Sequence, residues 1–124
     1  LLNTSAQSAF TATKTTQTIT ITKLSELEPL LTQYPKLVVD VTAEWCIECR
    51  IMDKIFANPP QSLASWQVVK LDVTDNTPDS QAIYKKLAVF GPPVLLFYQN
   101  GQLVARQNGA VKRPDFEQLL SQLN

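Results

Sequence analysis

The sequence predicts an α/β domain in which one sheet carries helices on both faces. Three observations predict it. Strand-like and helix-like segments alternate along the chain, Leu37-Val38-Val39 with Val41 reads as a buried strand, and Asn100-Gly101 joins two apolar segments as a hairpin turn. Alternating elements imply parallel pairings with right-handed crossovers. At 124 residues the chain is one domain, long enough to bury a core without staples, and it contains no internal repeat.

The elements follow in order. Residues 1–16 are rich in Thr, Ser, Gln and Ala without apolar periodicity, which reads as a loosely held leader or linker ahead of a domain over 17–124. Thr18-Ile19-Thr20-Ile21-Thr22 alternates with period two, a short strand. Ser25 and Glu28 have capping-box spacing, so a helix is expected from there to about Tyr34, stopped by Pro35. The strand over Leu37 to Val41 follows, then a helix whose face is expected to carry Ile47, Ile51 and Ile55 with Met52 and Phe56. Asn58-Pro59-Pro60 breaks it. Gln67 to Val73 is the next strand, and Thr77-Pro78 opens a helix over Asp79 to Leu87. Val94 to Tyr98 and Leu103 to Arg106 form the hairpin, and Pro114 opens a last helix through Phe116, Leu119, Leu120 and Leu123. The expected order is β-α-β-α-β-α-β-β-α.

Composition excludes several functions. Eleven acidic and eleven basic side chains cancel, leaving no basic field for nucleic acid or an anionic membrane. The longest apolar stretch, Val89 to Tyr98, is interrupted by Gly91, Pro92 and Pro93 and is too short to cross a bilayer, so direct membrane insertion is not expected. The first residue is Leu1 rather than Met, which points to an excised or processed piece, and no signal-peptide pattern is present. Histidine is absent, which removes a Cys–His nucleophile pair, a His general base and His-ligated zinc. Two cysteines are too few for a Cys-rich zinc site.

Those two cysteines form Trp45-Cys46-Ile47-Glu48-Cys49, where a buried strand meets a helix. At a helix start, unpaired N–H groups stabilise a thiolate and lower the pKa of the first cysteine from its free value of about 8.5. Cys46 would face outward and Cys49, one turn deeper, would attack a mixed disulfide and release the partner. The plainer reading is a structural disulfide, but closing so short a loop is worth only about 2 kcal/mol. A bound metal is the third reading. The position of the pair beside a β-α-β pattern favours redox exchange over both.

From Val38 onward the chain resembles the thioredoxin family. The residues carrying the likeness are Val39-Asp40-Val41-Thr42-Ala43-Glu44-Trp45-Cys46, Lys70 in its strand, Gly91-Pro92-Pro93-Val94-Leu95-Leu96-Phe97, and Asn108-Gly109-Ala110. The resemblance implies a thioredoxin-like fold with a central mixed β-sheet flanked by helices on both faces, here with an N-terminal extension. It also implies a cis Pro92–Pro93 bond facing the cysteines, a geometry proline tolerates at about 0.5–1 kcal/mol. Such a bond would leave the backbone before Pro93 free to pair with an extended partner segment.

Within that family the chain is most similar to the C-terminal domains of the DsbD thiol:disulfide interchange proteins. The W-C-x-x-C pair followed by a basic residue, the acidic Asp53 four places beyond Cys49, the Gly-Pro-Pro run and a Thr/Ser-rich leader carry that likeness. Asp53 is shorter than the glutamate expected there. The resemblance implies a periplasmic domain, tethered to the bacterial inner membrane in its full-length protein. Such a domain takes electrons from the transmembrane domain of its own chain and hands them to the N-terminal domain. Its partners are thus protein dithiols and disulfides, it needs no cofactor beyond the Cys46/Cys49 pair, and it is expected to be a monomer. A free-standing thioredoxin-like reductase or oxidase, and a redox-inert adaptor of the same fold, remain as alternatives.

The resemblance assigns further residues. Asp40 lies in a strand that otherwise reads as buried; a buried carboxyl has a raised pKa and suits proton exchange with Cys49. The alternative is a polar residue at a sheet edge. Asp53 shares a helical face with the pair, and its charge opposes thiolate formation at Cys46 unless Arg50 or Lys54 engages it. Glu44 and Glu48 add to this acidic neighbourhood, which predicts a Cys46 less acidic than a helix start alone would give. Trp45 is expected beside the pair as part of the docking surface with Glu48, Pro92 and Pro93. Lys70 is expected near the buried acid. Asp72, Asp75 and Asp79 lack calcium-loop spacing and read as strand-end and cap residues.

Overall fold

The computed structural model describes residues 17–124, so the leader expected over 1–16 lies outside the described residues. Five strands and four helices alternate in the expected order: β1 (Ile19–Ile21), α1 (Leu24–Gln33), β2 (Lys36–Thr42), α2 (Cys49–Ala57), β3 (Gln67–Asp72), α3 (Pro78–Lys86), β4 (Val94–Gln99), β5 (Gln102–Asn108) and α4 (Arg113–Leu123). A 3₁₀ turn over Gln61–Leu63 separates α2 from β3. The strands form one sheet in the order β1-β3-β2-β4-β5.

The sheet is mixed. β3 runs parallel to both β1 and β2, while β4 runs antiparallel to β2 and β5 antiparallel to β4. Alternation alone implied a parallel return after α3, and here the chain differs. It re-enters the sheet beside the end of β2, Val94 opposite Val41, so β4 must run against its neighbour. The consequence is functional: the Gly91-Pro92-Pro93 approach to β4 and the Ala43–Cys46 exit from β2 lie at one end of the sheet. Asn100 and Gly101 close the β4–β5 hairpin with φ of 53° and 82°, the left-handed pair that a tight two-residue turn requires.

Period-two alternation sorts side chains into two layers. Val39, Val41, Val69, Leu71 and Leu96 point to one face, where Leu27 of α1 and Ile83 of α3 cover them, and both cysteines belong to this cluster. Val38, Leu95 and Phe97 point to the other, under Met52 and Ile55 of α2 and Phe116 and Leu120 of α4. Met52 and Phe116 are fully buried, and each such side chain stabilises the fold by about 2–3 kcal/mol.

Two helix details correct the sequence reading. Ser25 and Glu28 do not form the cap of α1; the helix starts one residue earlier, and the Glu26 carboxylate accepts from the Thr22 and Lys23 N–H groups, both at 3.1 Å. The Ile47–Ile51–Ile55 stripe is not the buried face of α2. Ile47 is 86% exposed because it precedes the helix in a tight turn, Ile51 is exposed as well, and the inward face is Cys49, Met52 and Ile55. Thr77 caps α3 as expected: its hydroxyl accepts from the Ser80 N–H at 3.3 Å, and Pro78 follows in the first turn.

Candidate active site

Cys46 and Cys49 are joined as a disulfide, with Cα atoms 5.3 Å apart. The turn that brings them together is built from successive short-range bonds. The Cys46 N–H donates to the Ala43 carbonyl at 3.2 Å, Cys49 N–H to the Cys46 carbonyl at 3.2 Å, and Arg50 N–H to the Ile47 carbonyl at 3.0 Å. This i to i+3 winding tightens the entry to α2 and turns the N–H groups of its first residues toward Cys46. The Cys49 N–H also lies 3.1 Å from the Cys46 sulfur, the contact that would hold negative charge there after reduction. Cys46 retains 7% exposure and Cys49 1%, so the first sulfur is the more accessible, though less open than a helix-start position alone suggests.

Asp40 is fully buried, and neither carboxylate oxygen has a hydrogen-bond partner. The sheet-edge alternative is therefore wrong; Asp40 sits in a central strand, opposite Lys70 of β3 on one side and Leu95 of β4 on the other. It shares a strand face with Val38, which packs under α2, the helix that begins at Cys49. Burial pushes the Asp40 carboxyl from 3.8 up to about 7; Lys70 pulls it down, the Asp53 charge pushes it further up, and Arg50 pulls it down. An acid held near neutrality can give or take a proton at physiological pH.

Asp53 is not a free charge. Arg50 Nε lies 3.2 Å from one of its oxygens and Lys70 Nζ 3.6 Å from the other. The three ionic side chains line an open cavity of about 190 Å³ together with Thr20, Thr42, Ala43, Glu44 and Asp72. Arg50 also donates from Nη2 to the Ala43 carbonyl at 2.8 Å, linking this cluster to the turn that carries the cysteines. Lys70 thus stands where the resemblance placed it. Lys54 does not pair with Asp53; Arg50 does.

Trp45 is 57% exposed, so it is surface and not core filler. Its indole N–H donates to the Thr74 carbonyl at 2.9 Å. Thr74 was missed by the sequence reading. Its hydroxyl accepts from the Glu44 N–H at 2.9 Å and donates to an Asp72 carboxylate oxygen at 2.5 Å, so the loop after β3 holds the loop after β2 in place. No local pattern signals this, because the bonded residues lie 30 apart in sequence. Asp72 therefore does more than end a strand. Glu44 and Glu48 are exposed. The Pro92–Pro93 bond is cis, as expected, with Pro93 buried and Pro92 partly exposed. Phe90, just before them, is fully exposed.

The chain is similar to known proteins in sequence and fold. The family model described as Thioredoxin matches residues 12–122. The chain belongs to the thioredoxin family. A thioredoxin from Mycoplasmoides gallisepticum is 32% identical over 100 residues, covering 81% of this chain and 96% of that protein. The thiol:disulfide interchange protein DsbD of Haemophilus ducreyi is 38% identical over 87 residues, 65% of this chain and 15% of that protein. The DsbD of Campylobacter jejuni strain RM1221 is 29% identical over 91 residues, covering 71% of this chain and 16% of that protein. Among these DsbD relatives the chain spans a small fraction of the full protein. Oxidised mitochondrial thioredoxin 3 from Saccharomyces cerevisiae superimposes with a TM-score of 0.70 at 29% identity, covering 84% of this chain and 93% of that one. Family membership and the bonded Cys46–Cys49 pair together make the chain a thiol-disulfide oxidoreductase.

Among the described residues no cluster of acidic or sulfur ligands could hold a metal ion, and no helix is long and apolar enough to cross a membrane.

Proposed function

We propose that this domain relays electron pairs between protein partners in the manner of a DsbD C-terminal domain. On this reading it receives them from a membrane-embedded dithiol and passes them to a partner domain in the bacterial periplasm, while tethered to the inner membrane through the rest of its chain. The observation that carries the reading is the recurrent likeness to DsbD proteins of several bacteria, over 65–83% of this chain.

The chemistry follows from the site. Reduced Cys46 attacks a partner disulfide, forming a Cys46–partner bond and releasing one partner thiolate. Cys49 gives its proton to the Asp40 carboxylate and attacks the Cys46 sulfur. The intramolecular disulfide forms, the second partner thiolate leaves, and two electrons have passed to the partner. Asp53, held by Arg50 and Lys70, adjusts the affinity of Asp40 for that proton. Trp45, Glu48 and the partly exposed Pro92 form the surface on which an extended partner segment lies, and the buried cis Pro93 shapes the backbone before it. The sulfurs carry both electrons, so the reaction requires no further cofactor, and a monomer suffices.

The likeness to a thioredoxin matched along nearly its whole length supports a second reading, a free-standing disulfide reductase. Trapping separates the readings. With a Cys49→Ala variant, a relay domain accumulates a covalent complex through Cys46 with an isolated DsbD N-terminal domain. A free-standing reductase instead accepts electrons from thioredoxin reductase and traps no such domain. A redox-inert adaptor gives no covalent complex with any disulfide, an outcome that would overturn both.

A further inference from the structure

The loop from Phe90 to Pro93 has no regular structure of its own, yet it must present the backbone before the cis proline at a fixed height. It is tied at both ends from the side of β5. At the near end, α3 finishes in a Schellman turn: the Val89 N–H donates to the Tyr84 carbonyl at 2.9 Å and the Ala88 N–H to the Lys85 carbonyl at 3.4 Å. Ala88 takes the left-handed position at φ 54°, which glycine normally fills. Something must hold it there.

Arg106, half-buried on β5, supplies that hold. Its Nη2 donates to the Leu87 carbonyl at 2.7 Å and its Nη1 to the Ala88 carbonyl at 3.3 Å. Both acceptors are carbonyls at the helix C-terminus, where a cation is favoured and a charged donor bonds more strongly than a neutral one. At the far end the Gly109 N–H, one residue beyond β5, donates to the Pro93 carbonyl at 2.9 Å. Phe90, Gly91 and Pro92 therefore hang between two ties whose spacing is set by a single strand.

We propose that Arg106 is a positioning residue that fixes the Phe90–Pro93 loop for partner binding without touching the sulfur chemistry. The proposal rests on the partner-docking role assigned above to Pro92 and Pro93. It separates two quantities. Capture of a protein disulfide depends on where the loop stands, whereas attack by Cys46 on a small reagent depends only on the turn at the start of α2, which Arg106 does not contact.

The test uses the full chain with insulin as the disulfide substrate and dithiothreitol as the electron source. Iodoacetamide alkylation of reduced Cys46 is measured in parallel. Arg106→Met keeps the aliphatic stem and removes both guanidinium hydrogen bonds, leaving the Gly109–Pro93 tie in place. It is expected to raise KM for insulin about tenfold with kcat and the alkylation rate within about twofold of the parent, as a displaced binding element should. Arg106→Lys retains one charged donor and should recover part of the loss; if the Met variant does not fold, the Lys variant carries the test through a KM increase of about threefold. An unchanged KM in both variants would overturn the proposal. So would KM and alkylation rate shifting together, which would mark Arg106 as merely structural. A parent protein unable to reduce insulin would instead count against the docking reading itself.

Discussion

Replacing Asp40 by Asn should change how stability depends on pH, by an amount that follows from burial. The carboxyl titrates at 3.8 when free and at about 7 in the folded oxidised protein, chiefly because burial penalises its charged form. Below the lower value it is protonated in both states and contributes no difference. Between the two values the unfolded chain has lost the proton and the folded chain keeps it, so stability falls as pH rises. Each pH unit in that window costs about 1.36 kcal/mol, and the whole window costs about 4 kcal/mol before the curve levels off above pH 7. That is a large share of the about 5–15 kcal/mol that holds a typical domain together.

Asn cannot ionise and has nearly the same shape. Its amide also lies without partners, a penalty that is constant with pH. Guanidinium unfolding of the oxidised protein from pH 4 to pH 8 gives the two curves, and all other titrating groups are common to both. The Asn variant should gain on the parent by about 4 kcal/mol across that range, with the change concentrated below pH 7. Parallel curves would refute the assignment of a raised carboxyl, whatever the absolute stabilities. Under the proposed mechanism, in which Asp40 takes the Cys49 proton, the same variant should resolve mixed disulfides more slowly at pH 7 while Cys46 alkylation persists.

Two further predictions concern the groups around the pair. Lys70→Met removes a charge that pulls the Asp40 carboxyl down, so its titration should move above about 7, and Asp53→Asn removes one that pushes it up, so it should move lower; carboxyl infrared bands or side-chain carboxyl NMR read both, and shifts of the opposite sign would refute the electrostatic account. Thr74→Val preserves shape but removes the acceptor for the Glu44 N–H and the donor to Asp72, which should cost about 1–2 kcal/mol in denaturant unfolding and alter Trp45 emission, with Thr74→Ser restoring both; a Val variant as stable as the parent would show that this bridge contributes nothing.

How far the sequence disclosed this site depends on the reach of each interaction. β1 betrayed itself through period-two alternation, β2 through its apolar run, the β4–β5 hairpin through Asn100-Gly101, and Thr77-Pro78 announced α3, because those signals act within a few residues. The entry to α2 misled for a local reason. Ile47, Ile51 and Ile55 have helical spacing, but the chain is still in a tight turn at Ile47, so the periodicity began before the helix did. Glu26 lay hidden as a cap because Ser25 and Glu28 offered the more familiar spacing. Lys70 and cis Pro93 were legible only through family likeness; nothing in their immediate surroundings predicts them. Arg50 was legible as one of two partners for Asp53, but its bond to the Ala43 carbonyl was not, and Thr74 was legible by neither route, since it reaches across two loops.

The antiparallel entry of β4 explains why the site needs so few residues. A parallel return would have carried the chain after α3 to the far end of the sheet, leaving the cysteine turn without a facing loop. Instead Val94 pairs with Val41, and Pro93 and Thr42, the residues flanking that pair, lie at one end of the sheet. The two sulfurs belong to the layer beneath α1 and α3, whereas Asp40 points into the layer beneath α2. α2 begins at Cys49, at the edge where those layers meet, so one helix start serves a sulfur from one side and an acid from the other. Moving Asp40 by a single residue along β2 would turn it to the opposite face, away from α2 and, under the proposed mechanism, away from the thiol whose proton it takes.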